Sequence, residues 1–197
     1  MTIRARRSLG RTVSVGLAGL AMATLAACTG RGGGYLPPSP GFTGQASLGF
    51  SFSCQDNGGI NPQTGRLAIQ LSYNDKGTSL IGGPFGIHGT VDKIDPVLES
   101  AVCIGKNPPP GGKELIFLGR HRPTTSAPAG FPTTCQKSGA CRFEVIVRDN
   151  DGNMAPSKGD FFKISLSSDT VVSSTLQPGT VFYTRAGILA GGNITVD

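Results

Sequence analysis

From Ser47 onward, hydrophobic and polar residues alternate. Leu48, Phe50, Phe52 and Cys54 are separated by Gly49, Ser51 and Ser53, and Leu67, Ile69, Leu71 and Tyr73 by Ala68, Gln70 and Ser72. Alternation of this kind marks a strand with one face in the core and one in water. It recurs where Cys141, Phe143, Val145 and Val147 interleave with Arg142, Glu144, Ile146 and Arg148, and where Phe162, Ile164 and Leu166 interleave with Phe161, Lys163 and Ser165. Residues 114–119 are apolar on both faces, as in a strand covered on both sides. Weaker strands are predicted at 86–94, 101–104, 181–184 and 187–196. In the last of these, Gly191 and Gly192 predict a bulge or a close backbone approach. Asp56-Asn57-Gly58-Gly59, Asn74-Asp75-Lys76-Gly77 and Gln177-Pro178-Gly179 punctuate the strands with turn chemistry, and residues 120–136 read as a long irregular loop. After residue 28 no amphipathic helix of useful length is predicted. Roughly eight to ten short strands over residues 45–197 predict an all-β domain, an antiparallel β-sandwich or partly open barrel with Greek-key-like connections.

The chain ahead of this domain follows other rules. Arg4, Arg6, Arg7 and Arg11 precede an apolar, Ala/Gly-rich run that ends in Leu25-Ala26-Ala27-Cys28. This three-part pattern is that of an export signal. Its last four residues resemble the lipobox at which bacterial lipoprotein precursors are cleaved. The resemblance implies removal of residues 1–27 and acylation of Cys28. It also implies a protein held by lipid on the extracytoplasmic face of the cell membrane, since multiple acyl chains hold where one dissociates. Residues 28–44 contain Gly30, Gly32, Gly33, Gly34, Pro37, Pro38, Pro40 and Gly41. That composition predicts a flexible tether between membrane and domain.

The signal changes how the charge is read. The full chain carries a formal +6, from 18 basic and 12 acidic residues. Four of the arginines precede Cys28 and no acid does, so 14 basic residues face the same 12 acids after cleavage. The remaining cations are scattered and form no phosphate-binding stripe, which argues against nucleic acid as a partner. With Cys28 acylated, four of the five cysteines remain for an oxidising compartment: Cys54, Cys103, Cys135 and Cys141. Sequence alone admits more than one pairing. Cys135 and Cys141 bracket a plausible hairpin tip, leaving Cys54 with Cys103 as the preferred second bridge.

Candidate chemistry is sparse. Asp149, Asp151 and Asn153 place oxygens at alternate positions, with Asp160 where a calcium loop sets its closing acid, so Ca²⁺ is the candidate cofactor. Met154 stands where such a loop wants glycine, and Asp160 is shorter than the usual closing Glu. An Asn/Asp/Gly turn capping its own backbone accounts for the same composition. Arg120, His121 and Arg122 form an exposed basic triplet suited to an anionic headgroup or polymer. His88 lies in a strand-like stretch with no nucleophile or acid to partner it and reads as a hydrogen-bonded structural residue. No Gly-x-Ser-x-Gly or Ser-x-x-Lys context positions a serine.

Three segments, Phe143 to Gly152, Gly159 to Ile164 and Gly187 to Val196, resemble a β-rich module of exported and surface bacterial proteins that has no assigned activity. An N-terminal signature of that module is similar to Gly49-Phe50, Gly65-Arg66-Leu67 and Tyr73-Asn74-Asp75 here. The resemblance implies a secreted β domain and supplies no catalytic residues. The expected function is therefore a non-catalytic binding or envelope-structural module with an envelope protein or glycan as partner. The alternatives are a metal-assisted envelope hydrolase, which would need Asp149, Asp151, Asp160, His88 and His121 in one pocket, and a carrier with an apolar cavity.

Overall fold

The computed structural model describes residues 29–53, 60–61, 66–78, 81–90, 114–124, 127–136, 139–150, 159–171, 173 and 175–196. The export signal, Cys28, Cys54, Cys103 and the expected strand at 101–104 lie outside the described residues. The strands are β1 (Thr29–Leu36), β2 (Ala46–Ser53), β3 (Ile60–Asn61), β4 (Arg66–Asp75), β5 (Phe85–Thr90), β6 (Glu114–Pro123), β7 (Cys141–Arg148), β8 (Phe161–Ser167), β9 (Val181–Ile188) and β10 (Gly191–Val196). They form one antiparallel sheet in the order β10-β1-β2-β4-β5-β6-β7-β8-β9, with the short β3 on β4. The all-β class holds. The connections, however, run up and down between neighbours and do not form a Greek key.

The sheet is strongly curled. Phe117 of β6 stacks on Phe52 of β2 at 5.4 Å and meets Phe50 at 5.5 Å. In a flat sheet those strands would stand about 14 Å apart, three strand spacings. Tyr73 of β4 likewise reaches Phe162 of β8 at 6.2 Å. The alternation read in the sequence explains this: the inward positions of β2, β7 and β8, with Leu71 and Tyr73 of β4, carry apolar or aromatic side chains, and curling lets one face bury itself. The interior is packed with these rings, among them Phe143, which lies across Gly89 and Gly119.

Closure depends on the last two strands. β9 and β10 run in the same direction and are separated only by Leu189 and Ala190, so they form one long bent strand. Its first half pairs with β8 and its second half with β1. The hand-over falls between two consecutive amides: Leu189 N–H donates to the Asp160 carbonyl at 2.8 Å, and Ala190 N–H donates to the Tyr35 carbonyl at 3.0 Å. Bends of this kind are how strands turn corners between sheets. Gly192, at φ +108°, takes up the bend against the backbone of Gly33 and Gly34, as the paired glycines predict.

The expected tether is corrected here. Residues 29–36 are β1, a strand paired on both sides, with β10 and with β2. Residues 39–42 make the tight turn into β2, with Gly41 at φ +83° and reciprocal Ser39 and Phe42 backbone bonds. Glycine does lower strand propensity. In β1, however, Gly30, Gly32 and Gly34 all fall on the inner face, where Leu115, Ile194 and Leu189 already occupy the space their side chains would need. Neighbouring strands supply the core that β1 lacks.

The bridge between Cys135 and Cys141 is present, with Cα atoms 5.3 Å apart. It closes the segment after the 3₁₀ turn Thr133–Cys135, which carries Phe131 into the core beside Phe85 and Phe182. Residues 120–123 continue β6, so the irregular stretch is shorter than expected.

Candidate functional site

The basic triplet is split by the pleat of β6. Side chains alternate across a strand, so Arg120 and Arg122 face outward while His121 is fully buried, contrary to the expected exposed cluster. His121 sits between the rings of Phe131 and Phe182 at 5.8 and 6.1 Å. Its Nε2 lies 3.4 Å from the Ser167 carbonyl, and Nδ1 has no hydrogen-bond partner among the described residues. Phe182 reaches this site because β9 bulges at its pairing with Leu166 and Ser167, which lets Phe182 and Tyr183 both pack inward.

Burial pushes the His121 pKa down from 6.5 to about 4, partly offset by the Ser167 carbonyl. The folded state therefore holds His121 neutral at pH values where the unfolded chain binds a proton. Stability is full above pH 6.5 and falls as pH drops toward 4. The loss amounts to about 3 kcal/mol. Denaturant unfolding of wild type and His121→Leu across that window is expected to show a slope in the former that is much reduced in the latter. An unchanged slope would place the titration elsewhere.

The two described members of the calcium candidate are Asp149 and Asp160; Asp151 and Asn153 lie outside the described residues. Both carboxylates are buried and turn toward β10. Asp160 accepts from Ile194 N–H at 2.6 Å and from Asn150 N–H at 3.1 Å, and Asp149 accepts from Val196 N–H at 3.5 Å. The Ile194 and Val196 amides lie on the side of β10 facing away from β1, where no strand among the described residues pairs with it. The carboxylates thus stand in for a missing ladder, close to the turn-capping reading of the same residues. Among the described residues no group of three potential ligands gathers around a metal-sized site.

A second polar group inside the sheet had no signal in the sequence. Arg185 of β9 is buried on the inner face and pairs with Asp75 at 2.9 Å. It donates to the Pro37 and Gly44 carbonyls at 2.8 and 2.7 Å and lies over the Phe42 ring. Tyr183 donates to Asp75 at 2.6 Å, and Tyr73 therefore donates to Tyr183 at 2.5 Å. Burial first, then the neighbouring Tyr73 and Asp75, push the Tyr183 pKa far up. Both phenols stay neutral donors. The cluster ties β9 to the end of β4 and to the turn after β1. On the outer face, Arg142 is covered by the segment after β8 and donates to the Val171, Ser173 and Thr175 carbonyls at 2.6–3.2 Å.

His88, read from sequence as a structural residue, is exposed. It stands opposite Arg122 across β5 and β6, and opposite Ser72 across β4 and β5. Together with Gly49, Ser51, Gln70 and Thr90 these residues line an open groove of about 550 Å³ on the outer face. That volume falls within the roughly 300–1,000 Å³ of small-ligand sites. The structure thus separates the expected hydrolase residues: His88 lies outside, His121 inside, and Asp149 and Asp160 at β10. It also joins two residues, His88 and Arg122, that sequence reading had kept apart.

These features define an all-β domain, a single curled antiparallel sheet with an open groove on its outer face. No family model, curated protein or solved structure matches the chain.

Proposed function

We propose that this chain is an exported, lipid-anchored envelope protein whose β domain is a non-catalytic binding module, with the outer-face groove as its ligand site. The groove carries the reading. The polar residues of the interior, Asp75, Arg185, Tyr73, Tyr183 and Asp160, hold the sheet closed. The groove's polar side chains instead face solvent at the meeting of four strands. Rigid placement of exposed polar groups on strands suits recognition.

The anchor follows from Leu25-Ala26-Ala27-Cys28. Because β1 begins at Thr29, acyl chains on Cys28 would hold the sheet with one residue of slack, where a free tether was expected. Gly33 and Arg31, cross-strand neighbours of the groove residues Gly49 and Ser51, lie about 7–13 Å along β1 from that end. The ligand would then be met close to the headgroup layer. Cys28→Ala is expected to leave the domain folded and to move it from the membrane fraction to the soluble fraction. Retention of that variant in washed membranes would contradict the anchor.

A further inference from the structure

Resting on that reading of the groove, we infer that its ligand is an acidic carbohydrate, an oligosaccharide bearing carboxylate or phosphate groups. Strand register lays out the chemistry in two rows. One runs Arg31, Ser51, Gln70, Thr90, Arg120 across β1, β2, β4, β5 and β6, and the next runs Gly33, Gly49, Ser72, His88, Arg122. In the middle, Ser51, Gln70, Thr90 and Ser72 are uncharged and able to donate and accept hydrogen bonds, which suits hydroxyl groups lying close to the backbone. The first row ends in arginine on both sides, and the second ends in Arg122 on the β6 side.

Charge sets the sign of the ligand. The chain has 12 acidic residues, yet among the described residues none stands on the outer face of β10, β1, β2, β4 or β5. Fixed positive groups with no carboxylate beside them among the described residues favour an anion; Glu114, at the far end of β6, is paired with Arg148. Spacing sets its size. Arg31 and Arg120 lie four strand spacings apart, about 19 Å along the sheet. A lone phosphate could meet one end only, whereas an oligosaccharide with charges at intervals meets both while its hydroxyls occupy the neutral middle. Arg120 donates to the Ala140 carbonyl at 3.3 Å, on the β7 side of β6, and flanks the groove. Arg122 is exposed and faces the groove beside His88. Its guanidinium fork matches the planar geometry of a carboxylate or two phosphate oxygens.

Gly49 provides a clean test, because a Cβ there would meet nothing within 4 Å, so a side chain leaves the backbone unhindered. Gly49→Trp should fold normally and fill the groove. The detergent-solubilised full chain would be titrated calorimetrically with oligogalacturonate, a glycerol-phosphate oligomer and neutral dextran, alongside Gly49→Trp and Arg122→Ala. The expected result is binding of at least one acidic oligomer, weakened about tenfold or more in both variants, with melting temperatures unchanged and dextran inert. Which acidic oligomer binds distinguishes carboxylate from phosphate. Equal binding by dextran would overturn the acidic ligand and leave the binding module standing. Undiminished acidic binding in Gly49→Trp would overturn the groove as the site. Absence of binding to all three would overturn this inference, while the module reading would then fall only if envelope extracts also yielded no ligand competed by Gly49→Trp.

Discussion

Arg185→Met is expected to destabilise the domain by about 3–5 kcal/mol, because it leaves Asp75 charged, buried and without its cation. Domains of this kind have about 5–15 kcal/mol in total, so the variant would unfold at markedly lower denaturant or fail to accumulate. The effect has two parts. One is the ion pair, with Asp75 and Arg185 exposed by 2% and 1%. The other is the pair of backbone carbonyls, Pro37 and Gly44, to which no other side chain among the described residues donates. Combining Arg185→Met with Asp75→Leu should recover the first part and not the second, giving a double variant more stable than the sum of the singles predicts. Strict additivity in equilibrium unfolding would mean that the pair does not act as a unit.

Asp160→Ala should cost about 3 kcal/mol or more, from two hydrogen bonds to a buried carboxylate at roughly 1.5–3 kcal/mol each. Its effect should also be local. Ile194 and Asn150 lose their acceptor, and β10 keeps the longer Val196 N–H to Asp149 bond on the side away from β1. Amide exchange should therefore accelerate at Ile194 and Val196 well before β7 and β8 are exposed. Exchange that rises uniformly across the sheet would assign Asp160 to global stability and not to the closing strand. Asp160→Asn, which keeps one carbonyl acceptor, should fall between wild type and Asp160→Ala.

Alternation made the strong strands legible: β2, β4, β7 and β8 emerge because apolar and aromatic residues recur at every second position in the sequence. The Cys135–Cys141 bridge was legible from a short spacing across turn residues. β1 was not, because its inward positions are glycines whose space is filled by Leu115 and Ile194, residues remote in sequence. Arg185 was hidden for a related reason. A cation in a strand reads as an outward position, and only the fold brings Asp75 and two orphan carbonyls to meet it. His121 could have been found, since a strand carried past Gly119 must turn the middle of Arg120-His121-Arg122 inward. The groove had no local signal at all. It is assembled from serines, glycines and single polar residues of four strands, each ordinary alone.

Intact-mass and N-terminal peptide mass spectrometry of the native protein purified from membranes tests the account most directly. The account predicts a mature chain beginning at Cys28 with acyl groups on its thiol and amine, followed at once by the residues of β1. A free thiol at Cys28, or a mature chain that still carries the arginine-rich segment, would contradict it.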